Sequence, residues 1–418
     1  MRTIAKAVEV GNMKNQILQG NAIDIIKKIS VESINCIVTS PPYYGLRDYD
    51  LPPTDWAEVS YAPMPGLPPL IIPPMACCLG SEDSVEAYVG HMVLVFRELW
   101  KVLRGDGVAW LNLGDSYANS PKGSIVTNKS TLSGSQTYQA NGTPPKLLDK
   151  TKIGLKQKDL IGIPWRVAFA LRADGWYLRN DIIWHKPSAI PESVGDRCTK
   201  SHEYIFLLTK KARYWYDQDA IREPHKKESI KRDQTGYKAA FVGRHTMPGD
   251  NRPHSDNHNG FNHPLGRNKR TVWTVPPKPY KGAHFATFPP ALIEPCILAG
   301  CPSRVCVECD ESWVRVVERR KADATRPRPF GKKGNDDRND TLRIYEEHIS
   351  VKIGFAPTCQ CNAPHRPGVV LDPFFGAGTV GVAARQLKRN WLGIELNADY
   401  IEMALERLNQ TQPALFPR

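Results

Sequence analysis

The sequence predicts an α/β protein, a mostly parallel sheet with helices on both faces. Two observations carry this expectation. Short apolar runs that read as strands alternate with longer segments whose apolar residues recur at helical spacing. Two stretches rich in Pro or Gly, Thr39-Ser40-Pro41-Pro42-Tyr43 and Asp372-Pro373-Phe374-Phe375-Gly376-Ala377-Gly378-Thr379, each begin where an apolar run stops. The carboxyl ends of strands are where open α/β sheets bind ligands.

Taken in order, residues 34–38 form the first clear strand pattern. Val85, Val89, Met92, Val93, Phe96, Leu99, Trp100 and Leu103 follow at helical spacing, with Asp83 or Ser84 placed to cap that helix and Gly105 to end it. Residues 108–113 read as the next strand. Residues 160–173 read as a helix interrupted early by Pro164. Residues 177–184 and 204–208 read as strands. The chain then closes with strand 369–371, helix 379–387, strand 391–394 and helix 399–408, a βαβ pattern.

Four segments break the alternation. Residues 51–80 are rich in Pro, and residues 116–158 in Ser, Thr, Asn, Gln and Lys. Residues 222–270 are basic and contain His225, His245, His254, His258 and His263. Residues 301–367 hold five cysteines around a charged middle. Long connections without periodicity are usually functional loops or disordered segments. No internal repeat is present.

At 418 residues the chain is long enough for one large domain with insertions, or for two. Its formal charge of +13 fits a polyanionic partner, although a merely basic protein would show it too. No apolar run approaches the ~20 residues that span a bilayer. Residues 1–16 lack the apolar core of a secretory signal. A cytosolic protein with no membrane partner is expected, and ten cysteines in a reducing compartment read as thiols or metal ligands rather than disulfides.

Of the two motifs, the glycine-rich one sits between a strand and a helix. Glycine lets the backbone approach a ligand closely, and the free N–H groups of the helix start suit a carboxylate. Glu395 ends the next strand, where an acid can bind both hydroxyls of a ribose. The alternative is an ordinary Gly-rich turn, which the co-occurrence of Asp372-Pro373-Phe374, the two glycines and Glu395 disfavours.

This arrangement resembles the β-group of DNA amino-methyltransferases, the N4-cytosine and N6-adenine enzymes. Their order is a target motif first, a specificity region, a His-x-Ala-x-Phe-Pro element, then the Asp-Pro-Phe-x-Gly-x-Gly-Thr loop. Here His284-Phe285-Ala286-Thr287-Phe288-Pro289 occupies the third place. The resemblance implies a Rossmann-like S-adenosylmethionine-dependent methyltransferase fold with circularly permuted motif order. It implies that Asp372, Pro373, Phe374, Gly376, Gly378, Thr379 and Glu395 bind S-adenosyl-L-methionine, with Thr287, Phe288 and Pro289 on the methionine side. Where the family often has Gly-Asp near the adenine, this chain has Gly20-Asn21, and Asn21 can still donate and accept hydrogen bonds. The chain divides accordingly into a catalytic, target-base half over residues 15–221 with insertions at 51–80 and 116–158. A target-recognition segment follows at 222–270, alternatively a solvated basic loop. The cofactor-binding half spans 271–300 and 367–410, and a cysteine-rich insertion occupies 301–366.

Ser40, Pro41, Pro42 and Tyr43 suit an exocyclic ring amine as target. Its lone pair is delocalised into the base, so acceptors on its two hydrogens are needed to free it. The Ser40 hydroxyl and the Pro41 carbonyl supply such acceptors, the prolines fix the backbone, and Tyr43 can stack on the base. A base in such a pocket has left the helix. Ser at the first position goes with N4-cytosine more often in the family, and Asp with N6-adenine, so cytosine N4 is expected and adenine N6 is the alternative. Arg47 reads as a phosphate contact or as the partner of an acid such as Asp48. Trp184, in Trp184-His185-Lys186-Pro187, reads equally as a pocket wall or as core. Glu192, Arg197, His202 and Glu203 read as a polar network near the site.

Cys306-x-x-Cys309 and Cys359-x-Cys361 resemble a zinc ribbon, a four-thiolate structural site, with Cys301 and His365 as spare candidates. The expected function is a site-specific DNA methyltransferase acting on double-stranded DNA in the cytoplasm of a bacterial, archaeal or phage-infected cell. The resemblance leaves open a cognate restriction endonuclease and a homodimer. An RNA or protein-amide methyltransferase is disfavoured by the motif order, and a DNA-binding protein with a decayed site by the two intact motifs. A C5-cytosine enzyme would need an activated Cys after Pro in a loop, whereas Pro295-Cys296 falls in a helical pattern.

Overall fold

The computed structural model describes residues 14–46, 51–118, 154–189, 191–226, 228, 265–277, 288–321 and 348–411. Strand β1 (Gln16–Gln19) and helix α1 (Ala22–Ile26) lead into β2 (Ile34–Thr39). Two nested antiparallel ribbons follow, β3 (Thr54–Trp56) with β6 (Met75–Cys77) and, inside it, β4 (Val59–Tyr61) with β5 (Leu70–Ile72). Helix α2 (Val85–Val102) runs directly into β7 (Leu103–Leu113). Helix α3 (Ile163–Ala173), β8 (Tyr177–His185), β9 (His202–Thr209), β10 (Val272–Thr274) and α4 (Pro290–Gly300) come next. Small strands β11 (Val305–Cys306), β12 (Val314–Lys321), β13 (His348–Ala356) and β14 (His365–Arg366) precede β15 (Val369–Asp372), α5 (Thr379–Gln386), β16 (Asn390–Glu395) and α6 (Ala398–Asn409).

Eight strands form one sheet in the order β1-β16-β15-β2-β7-β9-β8-β10. From β1 to β7 every pairing is parallel. β9 alone runs against both its neighbours, β7 and β8. The expected parallel sheet is therefore correct apart from one reversed strand. Helices cover both faces, which is why the central strands are apolar at nearly every position rather than at alternate ones. All six residues of β2 are buried. Cys36 and Val38 enter one core with α4, α5 and α6, through Ile297, Val380 and Leu408. Ile37 enters the other with α1, α2 and α3, through Ile26, Phe96 and Val167.

Ser84 caps α2, its hydroxyl accepting the Ala87 N–H at 3.1 Å. Gly105 does not end that helix. Leu103 already has extended backbone, and Gly105 lies inside β7. Pro164 starts α3 rather than interrupting it, because proline at the first helical turn sacrifices no hydrogen bond. The free N–H groups there are met from the sheet: Asp115, just past β7, accepts from Gly162 at 3.0 Å and Ile163 at 3.1 Å.

β15 connects through α5 to β16 on one side, and β2 connects through α2 to β7 on the other. The strand order reverses between β15 and β2, and the crevice at their carboxyl ends is where this class of sheet binds ligands. Both motifs fall at that point.

Candidate active site

At the switch point the two motifs touch. The Thr39 hydroxyl donates to the Asp372 carboxylate at 2.8 Å, across 333 positions of sequence. Asp372 also accepts the Phe374 N–H at 3.1 Å. Both Thr39 and Asp372 are buried, and burial raises the Asp372 carboxyl to about 7 despite these two donors. Asp372 thus ties β15 to β2. Pro373 is buried and Phe374 packs on the core beneath the α2 face.

The glycine loop behaves as a ligand cradle. Gly376 has φ +50° and a side chain there would meet nothing within 4 Å, so its backbone faces open space. Gly378, in left-handed conformation, precedes α5 without any side-chain cap, leaving the helix amides for a ligand. The Thr379 hydroxyl is held by Arg407 at 2.9 Å. Glu395 accepts the Gly376 N–H at 2.7 Å with one oxygen and the Asn397 N–H at 2.8 Å with the other. Each carboxylate oxygen accepts two hydrogen bonds, so two sites remain for ribose hydroxyls. Burial raises its carboxyl above the usual range.

Beyond β1 and β16 lies a pocket of about 420 Å³, lined by Asn21, Pro53, Thr54, Trp56, Leu94 and Leu396. Asn21 Oδ1 accepts the Ile23 N–H at 2.9 Å and Nδ2 donates to the Thr54 hydroxyl at 2.8 Å, leaving one donor and one acceptor. Phe288 packs on the second core and Pro289, buried, precedes α4. Thr287 lies outside the described residues, as do Arg47, Asp48 and most of the 116–158 and 222–270 segments.

The target motif forms a hydrogen-bonded cluster. Pro41 is buried, and the Pro42 carbonyl accepts the Tyr88 hydroxyl at 2.9 Å, which fixes the turn against α2. The Ser40 hydroxyl lies 3.2 Å from the Tyr43 oxygen and 3.3 Å from Asn112 Oδ1. The Tyr43 hydroxyl reaches Glu203 Oε2 at 2.9 Å and Asn112 Oδ1 at 3.1 Å. Asn112 Nδ2 donates to Glu203 at 3.2 Å and to the Tyr204 carbonyl at 3.0 Å. Lys186 holds the other Glu203 oxygen and sits 4.2 Å above the Trp184 ring. Burial first, and then the Glu203 carboxylate, push the Tyr43 hydroxyl well above the ordinary tyrosine range. Its ring lies so close to Gly114 that a Cβ there would come within 2.6 Å of Cε2, so the strand end must be glycine.

Sequence reasoning missed Asn112 and Gly114. One signal was available: Asn112 is the only polar residue in the run 108–113, and the register that pairs Thr39 with Leu111 sets it level with Ser40. Trp184 is core, 4% exposed, with its indole N–H given to the Val275 carbonyl at 2.8 Å. The expected Glu192, Arg197, His202 and Glu203 network divides. Glu192 and Arg197 pair with each other at 2.5 Å, and Glu203 belongs to the target cluster. Cys296 is buried within α4 with its thiol pushed up by burial, which is no setting for an attacking thiolate.

Cys306, Cys309, Cys359 and Cys361 converge, their sulfurs all within 4.8 Å of one another. Backbone N–H groups of Cys309 and then Glu308 lower the Cys306 thiol to about 7, and four converging thiols are the donor set of structural zinc. Neither spare candidate is among the converging ligand atoms, although His365 pairs with Cys306 across β11 and β14. Cys301 is buried after α4, and His365 packs edge-on against Trp313 at 4.9 Å. Cys77, Glu82 and His91 also lie within 4.8 Å. There burial raises the Cys77 thiol to about 12, and His91 is engaged by Glu82 at 2.9 Å and stacked on Trp56 at 4.1 Å.

A family model described as DNA methylase matches residues 34–307 and 363–406, well over half the chain, and leaves out most of the cysteine-rich insertion. The chain is 34% identical to Type II methyltransferase M.Cfr9I of Citrobacter freundii over 392 residues, 94% of this chain and 87% of that one. It is 33% identical to Type II methyltransferase M.SmaI of Serratia marcescens over 393 residues, 94% of this chain and 90% of that one. Among solved structures, PvuII DNA methyltransferase (cytosine-N4-specific) matches at 13% identity and TM-score 0.46, over 95% of this chain and 89% of that one. With its two motifs meeting at the switch point of the sheet, the chain belongs to the DNA methylase family, the S-adenosylmethionine-dependent N6 and N4 amino-methyltransferases.

Proposed function

We propose that this protein is a site-specific DNA methyltransferase that modifies the exocyclic N4 amine of a cytosine turned out of double-stranded DNA. The observation that supports this best is Ser40 at the carboxyl end of β2, a hydroxyl rather than a carboxylate, beside the glycine loop. S-adenosylmethionine supplies a methyl group already activated on sulfur. The chain's task is then position and charge. Gly376 and Gly378 let the backbone come close to the amino-acid end, and the uncapped start of α5 at Thr379 turns its amides toward it. Glu395 offers its remaining lone pairs to ribose, and Asn21 its remaining donor and acceptor near the adenine, while Thr287, Phe288 and Pro289 close the methionine side. Ser40 and the Pro41 carbonyl take the amine hydrogens, and Tyr43 borders the base. Adenine N6 is the second reading, since the same cluster serves either amine.

The cysteine cluster is read as a structural zinc site, and residues 222–270 as the segment that recognises the DNA sequence. Relatives named Type II methyltransferases support pairing with a cognate restriction endonuclease. A cytoplasmic enzyme, alone or as a homodimer, fits this reading. No described helix is long and apolar enough to cross a membrane.

The deciding experiment is single-molecule sequencing of DNA from a methylation-free host expressing the chain or its Pro41→Ala variant. N4-methylcytosine at one motif, absent with the variant, is expected. N6-methyladenine would overturn the base assignment, and no DNA mark from soluble, cofactor-binding protein would overturn the substrate class.

A further inference from the structure

Methylating an amine leaves a proton to dispose of. When the amine's lone pair forms the new N–C bond, the S–C bond breaks with its electrons going to sulfur. The positive charge moves to nitrogen, which is then a strong acid carrying one hydrogen too many. A base enclosed by protein has little water at hand to receive it. The target motif faces a route out.

We propose that Glu203 accepts this proton, reached through the hydroxyls of Ser40 and Tyr43. This rests on the methyltransferase reading above. The Ser40 hydroxyl donates to the Tyr43 oxygen at 3.2 Å, and the Tyr43 hydroxyl donates to Glu203 Oε2 at 2.9 Å. Each hydroxyl thus has the next group toward the carboxylate within reach as an acceptor, with Asn112 Oδ1 as the other acceptor of both. The amine gives a proton to Ser40 Oγ, Ser40 gives its own to the Tyr43 oxygen, and Tyr43 gives its own to Glu203. The net change is a neutral amine and a neutral carboxylic acid, and both hydroxyls end as they began. Glu203 then loses the proton to solvent, its side chain being 15% exposed.

The surroundings fit a relay. Asn112 touches Ser40, Tyr43 and Glu203 at 3.1 to 3.3 Å, so one rigid amide sets the spacing of all three. Lys186 grips the far oxygen of Glu203, and among the described residues Lys200, His202 and the carboxylate of Asp115 also lie in this charged cluster. Glu203 comes from β9, the reversed strand, whose antiparallel register on β7 pairs Tyr204 with Leu113 and so brings Glu203 beside the β7 end. A free tyrosine ring for stacking would need no such partner. Glu203 acts through Tyr43, and touches no substrate itself.

The test compares wild type, Glu203→Gln and Tyr43→Phe in single-turnover methyl transfer across about pH 5 to 9, alongside dissociation constants for S-adenosylmethionine and target DNA. Both variants are expected to lose on the order of 10²-fold in rate, with both dissociation constants within about threefold of wild type. The loss should fall on the methyl-transfer rate and not on either dissociation constant, which separates a proton acceptor from a residue that only shapes the pocket. A second readout needs no turnover. In free protein carrying ¹³Cζ-tyrosine, Tyr43 should ionise at lower pH once Glu203 is Gln, because the carboxylate's repulsion is gone. An unchanged rate in Glu203→Gln, a rate loss matched by weaker binding, or an unmoved Tyr43 titration would each overturn the relay. If wild type marks no DNA, the methyltransferase reading itself fails, a result separable from these.

Discussion

Single residues at the switch point carry two duties at once. Asp372 belongs to a motif expected to bind cofactor, yet its carboxyl is buried against Thr39 and Phe374, which makes it the joint between the halves. That has a consequence for stability. Its folded-state value of about 7 lies well above the ordinary range of an aspartate carboxyl. Between the two the native protein holds a proton that the unfolded chain has released, so stability falls as pH rises through that window. The lost stability amounts to at most about 4 kcal/mol and is fully lost only above the folded value. Asp372→Asn keeps an acceptor and has no charge to bury. Thermal unfolding across this window should show the variant gaining on wild type as pH rises, and parallel curves would refute the assignment. Gly114 is a second such residue. It reads as a strand end, and only the Tyr43 ring against it explains why no side chain fits.

Elements differ in how much of themselves they announce. Helix α2 was plain from its apolar spacing and its Ser84 cap, because both are local. The proline-rich residues 51–80 looked shapeless, yet they fold into two ribbons that bury Trp56, Val59, Tyr61 and Ile72 in the core around α2. Three-residue strands flanked by proline leave no periodicity to detect. The cysteine insertion was legible through its paired spacing, which already pointed to Cys306, Cys309, Cys359 and Cys361 with Cys301 and His365 as spares, and the fold brings those four sulfurs together. Metal analysis should give one zinc per chain. Cys359→Ser should abolish it and expose the 301–367 segment to protease, while the family-matched core keeps its S-adenosylmethionine affinity within about threefold. A full complement of zinc in the variant would exclude the four-thiolate site.

On the scale of the whole molecule, a chain of +13 charge in a DNA methylase should hold its substrate largely through phosphates. Raising salt from about 50 to 200 mM should weaken binding to cognate and unrelated duplexes alike by at least tenfold. An affinity indifferent to salt would mean that the basic surplus lies away from DNA. The sequence by itself determined the α/β class, the two motifs and their permuted order. It could do so because apolar periodicity, glycine and proline turns and helix caps are written within a few residues. It left Trp184 undecided, and Asn112 and Gly114 unseen. Those were decided by strand pairing. The order β15-β2-β7-β9 sets Asp372, Ser40, Asn112 and Glu203 side by side from four separate stretches of chain. Which strands become neighbours, and in what register, depends on burying both faces of the sheet at once, a condition that no single segment carries.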